Sequence, residues 1–139
     1  AACVGRLTNY FGQLSKDKFI VWVQNPLRID EYSEPEPDVV LLNHRDDFYA
    51  MRHPEPSDVL LVIEVADTTL DYDRKIKIPL YARAGIPETW LVNLVANTIE
   101  VYRQPTAAGY QSVTTYKRGE TLSIQLLSDI FVEVNAILG

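Results

Sequence analysis

Cysteine and long apolar runs are scarce in this 139-residue chain. Cys3 is the one cysteine, so no disulfide can form within the chain, and such cysteine usage is typical of the cytoplasm, where we expect the protein to reside. No apolar run approaches the ~20 residues that a membrane-spanning helix needs, and no signal peptide is evident. The chain begins at Ala1 rather than at methionine, in a helical pattern, so we expect that an N-terminal segment is missing.

An excess of basic residues is also lacking. Thirteen Lys and Arg residues face nineteen Asp and Glu residues, which gives a net charge of −6. Proteins that depend on phosphate neutralisation usually carry a basic excess, so the charge argues against tight non-specific binding of nucleic acid. It does not exclude a nuclease, because carboxylates that hold a metal ion add negative charge and a local basic patch can coexist with an acidic total.

What the chain does contain is typical of one globular domain, which we expect to span residues 1–139. Apolar spacing predicts an N-terminal helix over 2–14 and a second helix over 74–84 that Gly85 ends and that Pro79 delays or kinks. A short helix is predicted at 134–138. Strand patterns occur at 19–24, 38–42, 59–65, 88–94, 98–103 and 110–116. This order predicts an α/β or α+β arrangement with a central mixed sheet flanked by helices.

Glu64 is the most informative residue of the chain. It lies within Val59–Ala66, a run that is otherwise typical of a fully buried strand. A lone ionised carboxylate in such a strand would cost several kcal/mol, so Glu64 should be protonated, paired or bound to a cation.

Asp38 is a second acidic residue in a similar position, at the start of an apolar strand. If that strand pairs antiparallel with the Glu64 strand, both carboxylates meet at one edge of the sheet. Two hard oxygen ligands, together with the backbone carbonyl of Val65, suit Mg²⁺ or Mn²⁺. The sequence therefore predicts a metal site, formed by Asp38, Glu64 and Val65.

Cations follow the Glu64 strand closely, in the segment Asp73–Lys77 that begins the second predicted helix. An ammonium there would steady an attacking water and stabilise charge on a phosphate, while the metal polarises the phosphoryl group. Carboxylates, a lysine and a divalent metal are the components of phosphodiester hydrolysis.

These segments resemble the PD-(D/E)xK nuclease superfamily and, within it, the Uma-two family of restriction endonucleases. The resemblance covers roughly residues 1–135 and depends on Ser33–Asp38, Ile63–Thr68, Asp73 with Lys77, Tyr81–Glu88 and Trp90–Val92. The superfamily's lysine usually lies two residues after the acidic residue, where this chain has Ala66, and Lys77 is the matching position in this family.

The resemblance implies a restriction-endonuclease-like fold and a metal-dependent endonuclease with catalytic residues Asp38, Glu64 and Lys77. It implies Mg²⁺ or Mn²⁺ as cofactor, DNA as the expected substrate, a bacterial source and a homodimer. The residues themselves do not distinguish DNA from RNA.

Structural explanations compete with these roles. Asp38 is also explained as a turn residue, and Glu64 as a buried ion pair with Lys77; we favour the metal ligand over the structural pair by about two to one. Asp73 is better explained as a helix N-cap than as a ligand. Tyr81, one turn beyond Lys77 on the same helix face, is better explained as a core aromatic residue that packs on the sheet than as a residue that lines the site.

A second function stays open, namely a catalytically inactive nuclease-fold module that acts in protein or nucleic-acid interaction. The acidic total charge and the moved lysine favour it, and we expect exposed strands near Trp90 and Val101 to form a dimer surface. His44 and His53 lie in a polar connection, where bystander positions are the better explanation.

Overall fold

A six-stranded mixed sheet forms the centre of the protein in the computed structural model, which describes residues 2–139. Its strands, in chain order and also in spatial order, are β1 (Phe19–Val23), β2 (Val39–Asn43), β3 (Val59–Ala66), β4 (Glu88–Asn93), β5 (Thr98–Thr106) and β6 (Gly109–Lys117). The predicted α/β class with a mixed sheet between helices is confirmed.

The pairing directions decide where the strand ends meet. β2 pairs antiparallel with β1 and with β3, whereas β3 and β4 run parallel and β4, β5 and β6 alternate. A parallel pair needs a crossover, and the helical segment between β3 and β4 supplies it. The start of β2, the end of β3 and the start of the crossover helix therefore lie close together.

One face of the sheet carries the larger core. α1 (Ala2–Ser15) buries Cys3, Leu7 and Phe11, which recur at helical spacing, against the sheet. α4 (Val134–Leu138) completes this layer, as the sequence predicts. No helix within residues 2–139 is long and apolar enough to cross a membrane.

A separate two-stranded sheet precedes α4. Its strands β7 (Thr121–Ile124) and β8 (Leu127–Glu133) pair antiparallel, and the sequence did not predict them. Leu122 and Val132 point into the main core, and the register shifts between Ser123 and Ile124. This irregular, half-exposed pairing leaves only a weak alternating pattern in the sequence.

The opposite face of the sheet is covered by the crossover helix, in three consecutive pieces. They are α2 (Leu70–Tyr72), a π-helical turn (Asp73–Lys77) and α3 (Ile78–Arg83). The helix thus begins four residues before the predicted position and ends as predicted, with Gly85 at φ +81°.

Pro79 explains the π-helical turn. Proline has no N–H and cannot continue the i→i−4 bonding of an α-helix interior. In the structure the Ile78 N–H bonds to the Asp73 carbonyl five residues back, and Pro79 then falls in the first turn of α3, where its missing donor is harmless. The proline neither delays nor breaks the helix but changes its winding.

The prediction of a dimer surface near Trp90 and Val101 is wrong. Trp90 is fully buried and Val101 is 2% exposed, and both belong to the core beneath α1. They lie on inner strands of the sheet, where β3 and β6 flank them.

Candidate functional site

Asp38 and Glu64 lie beside each other, at the end of the β2–β3 pair where the predicted antiparallel pairing places them. The register that opposes Val39 to Ile63 places the residue before β2 next to the end of β3. The Asp38 Oδ2 atom accepts a hydrogen bond from the Val65 N–H at 2.7 Å, and the Asp38 N–H donates to Glu64 Oε1 at 3.4 Å. This bond to a backbone amide is also what the alternative explanation of Asp38 as a turn residue expects, so its role as a metal ligand stays a prediction.

Val65 joins the two acidic residues through its backbone. It is half-buried at the end of β3, and its N–H fixes the Asp38 carboxylate. The expected role of its carbonyl oxygen as a metal ligand stays a prediction.

Glu64 is 1% exposed and lies on the sheet face that the crossover helix covers. Its Oε2 atom accepts a hydrogen bond from the Tyr81 hydroxyl at 2.6 Å and lies 3.5 Å from Lys77 Nζ. Burial raises the pKa of the Glu64 carboxyl from 4.5 to about 7, against the opposing effects of the Tyr81 hydrogen bond and the Lys77 charge. The site therefore holds a carboxyl group that titrates near neutral pH.

Lys77 lies between two carboxylates, since its Nζ atom is also 3.6 Å from Asp73 Oδ1. Burial alone would lower the pKa of the Lys77 amine, but the Glu64 and Asp73 carboxylates outweigh burial and raise that pKa above 10.5. Lys77 is thus a permanent ammonium whose position two anions define.

Asp73 is not the helix N-cap that the sequence suggested. The helix starts earlier, with Thr69 as its N-cap, so Asp73 falls inside the helical segment with αR geometry and is 2% exposed. Its Oδ2 atom accepts a hydrogen bond from the Thr69 hydroxyl at 2.9 Å. Polar capping residues predict where a helix starts. Here such residues extend over 67–73, so the sequence is compatible with several helix starts.

Tyr81 both packs in the core, as the sequence favours, and lines the site, which was the less favoured alternative. Its ring is fully buried, as predicted for a core aromatic residue, but its hydroxyl donates to Glu64. Burial and the adjacent carboxylate raise the pKa of the Tyr81 hydroxyl, so it stays protonated and remains a donor. The available signal was its i,i+4 spacing from Lys77, which places both residues on one side of the helix.

A second buried carboxylate, Glu100, lies in the same row of the sheet. β4 and β5 set Leu91 beside Glu64 and Glu100 beside Leu91, so both acidic side chains share a face. Glu100 accepts a bidentate ion pair from Arg74 of the π-helical turn and a hydrogen bond from Tyr102. Burial tends to raise the pKa of the Glu100 carboxyl, but these partners prevail and lower it. The crossover helix thus supplies a cation to each carboxylate.

The two histidines lie in the connection between β2 and β3. His44 Nε2 is 3.0 Å from Asp46 Oδ1, and His53 lines an open cleft beside Trp22 and Tyr49. Within residues 2–139 no group of three or more His, Cys, Asp or Glu side chains is arranged to hold a metal ion. Any metal would therefore depend on two carboxylates, which suits Mg²⁺, an ion that keeps several waters and binds substrate phosphates.

Comparisons with known proteins agree with the resemblance in the sequence. A family described as "Putative restriction endonuclease" (Uma2) matches residues 1–135. No curated protein matches the chain. Among solved structures, the chain is similar to a protein from Anabaena variabilis ATCC 29413 described as "a putative nuclease belonging to DUF820". The two share 11% sequence identity with a TM-score of 0.67, over 99% of this chain and 76% of the other, which shows a common fold.

Proposed function

Because the chain belongs to the Uma2 restriction endonuclease family, we propose that it is a metal-dependent endonuclease that hydrolyses phosphodiester bonds, with DNA as substrate. One observation carries this proposal. Asp38 and Glu64 converge at one end of the β2–β3 pair, and the Lys77 ammonium lies 3.5 Å from the buried Glu64 carboxylate. Two oxygen ligands beside a fixed ammonium match the requirements of hydrolysis at a phosphate.

Asp38, Glu64 and the Val65 carbonyl would hold Mg²⁺ or Mn²⁺. The donor set fits, because each group offers a hard oxygen and the two carboxylates already lie within one hydrogen-bonded unit. A divalent ion bound there would polarise the phosphoryl group and lower the pKa of a bound water.

The protein residues have separate tasks in this proposal. Lys77 donates hydrogen bonds to the attacking water and stabilises negative charge on the phosphate. Tyr81 fixes the orientation of the Glu64 carboxylate, since its hydroxyl is a permanent donor at 2.6 Å. Burial excludes bulk water around Glu64, which strengthens these electrostatic effects.

The alternative is a catalytically inactive module that retains the fold and acts in protein or nucleic-acid interaction. One observation favours it. Glu64 accepts a hydrogen bond from Tyr81 and lies beside the Lys77 ammonium, so its buried carboxyl group has polar partners without a metal ion. Ion-pair networks of this type also occur in purely structural roles.

A cleavage assay separates the two functions. We expect the purified protein to nick supercoiled plasmid and to linearise circular single-stranded DNA with Mg²⁺ or Mn²⁺. Asp38→Asn, Glu64→Gln and Lys77→Met should each lower the rate by about 100-fold or more. Lys75→Met is the matched control, because Lys75 is exposed on the same helix two residues from Lys77.

Absence of metal-dependent cleavage on all these substrates would overturn the endonuclease proposal. Calorimetric titration with Mn²⁺ then tests the site itself. Mn²⁺ binding that disappears in Asp38→Asn and in Glu64→Gln supports a metal site, and no binding in the parent protein supports the inactive module.

The proposed oligomer is a homodimer through β6. This nine-residue strand is an edge of the main sheet, it contains no proline, and Lys117 at its last position is its one charged residue. Charges and prolines are the usual protections of an edge strand against pairing, so β6 before Lys117 is open to a second copy of the chain.

A further inference from the structure

Asp73 is a buried acidic residue that the proposed hydrolysis does not itself require. It is 2% exposed, at the start of the π-helical turn. One carboxylate oxygen faces Lys77 Nζ at 3.6 Å, and the other accepts the Thr69 hydroxyl at 2.9 Å. Both oxygens thus have partners, so the carboxylate is held in one orientation.

We propose that Asp73 is a positioning residue that keeps the Lys77 ammonium at the site when Glu64 binds a cation. This inference depends on the proposed function and deepens it. Asp73 itself has no contact with substrate in the proposal and acts through Lys77.

The need for a second anchor follows from the properties of lysine. Its ammonium is a point charge at the end of a flexible four-carbon stem, so one partner alone leaves it many orientations. In the structure Lys77 has two carboxylate partners, at 3.5 and 3.6 Å. A divalent cation on Glu64 would cancel the attraction of that carboxylate for Lys77, and Asp73 would remain as the anchor.

Thr69 makes Asp73 suitable for this task. A carboxylate without its own restraint would follow the lysine rather than hold it. The Thr69 hydroxyl bond ties Asp73 to the residue that begins the helix, one turn away. The direction of the restraint therefore runs from Thr69 through Asp73 to Lys77.

A double-mutant cycle tests the proposal. Asp73→Asn keeps the size of the side chain and removes its charge, and we expect it to lower kcat by about 10-fold with little change in KM. In a Lys77→Met background the same substitution should have no further effect on kcat, because its target is gone. Asp71→Asn, an equal charge change at an exposed position on the same helix, should leave kcat unchanged.

A second readout does not need nuclease activity. Acetic anhydride labelling, followed by mass spectrometry of the Lys77 peptide, should be several-fold faster in Asp73→Asn than in Asp71→Asn when both are saturated with Mn²⁺. Thr69→Val, which removes the restraint without a charge change, should shift labelling in the same direction. This variant keeps the test valid if Asp73→Asn fails to fold.

Unchanged labelling in both variants would overturn the positioning role, whether or not the protein cleaves DNA. An equal loss of kcat from Asp73→Asn with and without Lys77 would overturn it too, because the effect would then be structural. Faster labelling in a protein that cleaves nothing supports the Asp73–Lys77 relation and counts against the endonuclease proposal alone.

Discussion

Glu64 stabilises or destabilises the folded protein according to pH. Burial raises the pKa of its carboxyl from 4.5 to about 7, so the folded state binds the proton more tightly than the unfolded chain does. The resulting contribution to stability is fully present below about pH 4.5 and is lost as the pH rises through 7. The loss is on the order of 3 kcal/mol.

We therefore predict that Glu64→Gln raises the free energy of unfolding of the metal-free protein at pH 8 and changes it little at pH 4.5. Glutamine keeps the acceptor for Tyr81 and carries no charge to bury. Urea unfolding at a series of pH values measures this. Glu31→Gln, at an exposed position, is the control, and a variant-to-parent difference that does not vary with pH would contradict the prediction.

Tyr81 gives a second prediction for a single residue. Tyr81→Phe removes the 2.6 Å hydrogen bond to Glu64 and leaves the ring in place. We expect a loss of about 1–3 kcal/mol in stability, because a buried acceptor loses its donor. We also expect about 10-fold weaker Mn²⁺ binding, since the carboxylate is no longer oriented.

The matched control is Tyr102→Phe, which removes an equivalent hydroxyl from Glu100 two strands away. Thermal unfolding and calorimetric Mn²⁺ titration of both variants decide the matter. If both variants lose similar stability but only Tyr81→Phe binds Mn²⁺ more weakly, the role of Tyr81 is supported. An equal loss of Mn²⁺ affinity in both variants would contradict it.

The sequence identifies the residues of this site whose burial conflicts with their charge. Glu64 is conspicuous because it interrupts an apolar strand, and Asp38 because it begins one. Asp73 and Tyr81 do not conflict with local patterns, since a polar residue near a helix start and an aromatic residue on a helix are ordinary. Their contacts with Lys77 and Glu64 arise from packing between elements, which local patterns do not contain.

At the scale of elements, the π-helical turn sets the face that the crossover helix presents. In a regular α-helix, residue 81 would be rotated by about 80° from residue 73. The wider winding at Asp73–Lys77 reduces this rotation, so Asp73, Lys77 and Tyr81 can all face the end of β3. π-Helical turns are frequent at functional sites, and here the winding brings three site residues to one side.

Pro79 carries the prediction that belongs to this element. Pro79→Ala restores a backbone N–H and allows regular α-helical bonding from Leu70 onward. We expect equal or greater thermal stability, together with about 10-fold lower cleavage activity, because Lys77 and Tyr81 would rotate away from Glu64. Pro105→Ala in β5 is the control, and full activity of Pro79→Ala would contradict the proposed link between winding and site.

Elements with a regular pattern of apolar residues were predictable from the sequence, and elements with an irregular pattern were not. The six strands of the main sheet and α1 follow from apolar runs and helical spacing. The start of the crossover helix was misplaced because capping residues extend from Asp67 to Asp73, and the β7–β8 pair was missed because its strands are short and irregular. The antiparallel pairing of β2 and β3 was the assumption on which the site depended, and the structure contains it.

At the scale of the whole molecule, the larger core and the proposed site lie on opposite faces of the sheet. The α1 face carries the main core and one buried ion pair, Glu88 with Arg103, and the crossover-helix face carries the buried carboxylates Glu64 and Glu100 with their cations. Within residues 2–139 no strand pairs with the outer side of β6, and the site lies three strands inward. A dimer through β6 would therefore leave both sites open to substrate.

The dimer gives the last prediction. β6 is about 30 Å long at strand spacing, and its central residue, Val113, is 54% exposed. In an antiparallel pair of two β6 strands, residues near the centre face their own copies, so Val113→Lys would oppose like charges across the two-fold axis. We expect the parent to sediment as a dimer and Val113→Lys as a monomer in analytical ultracentrifugation. Val95→Lys, at a 68% exposed position in the β4–β5 turn, should remain dimeric. A monomeric parent, or a dimer that both lysine variants retain, would contradict pairing through β6.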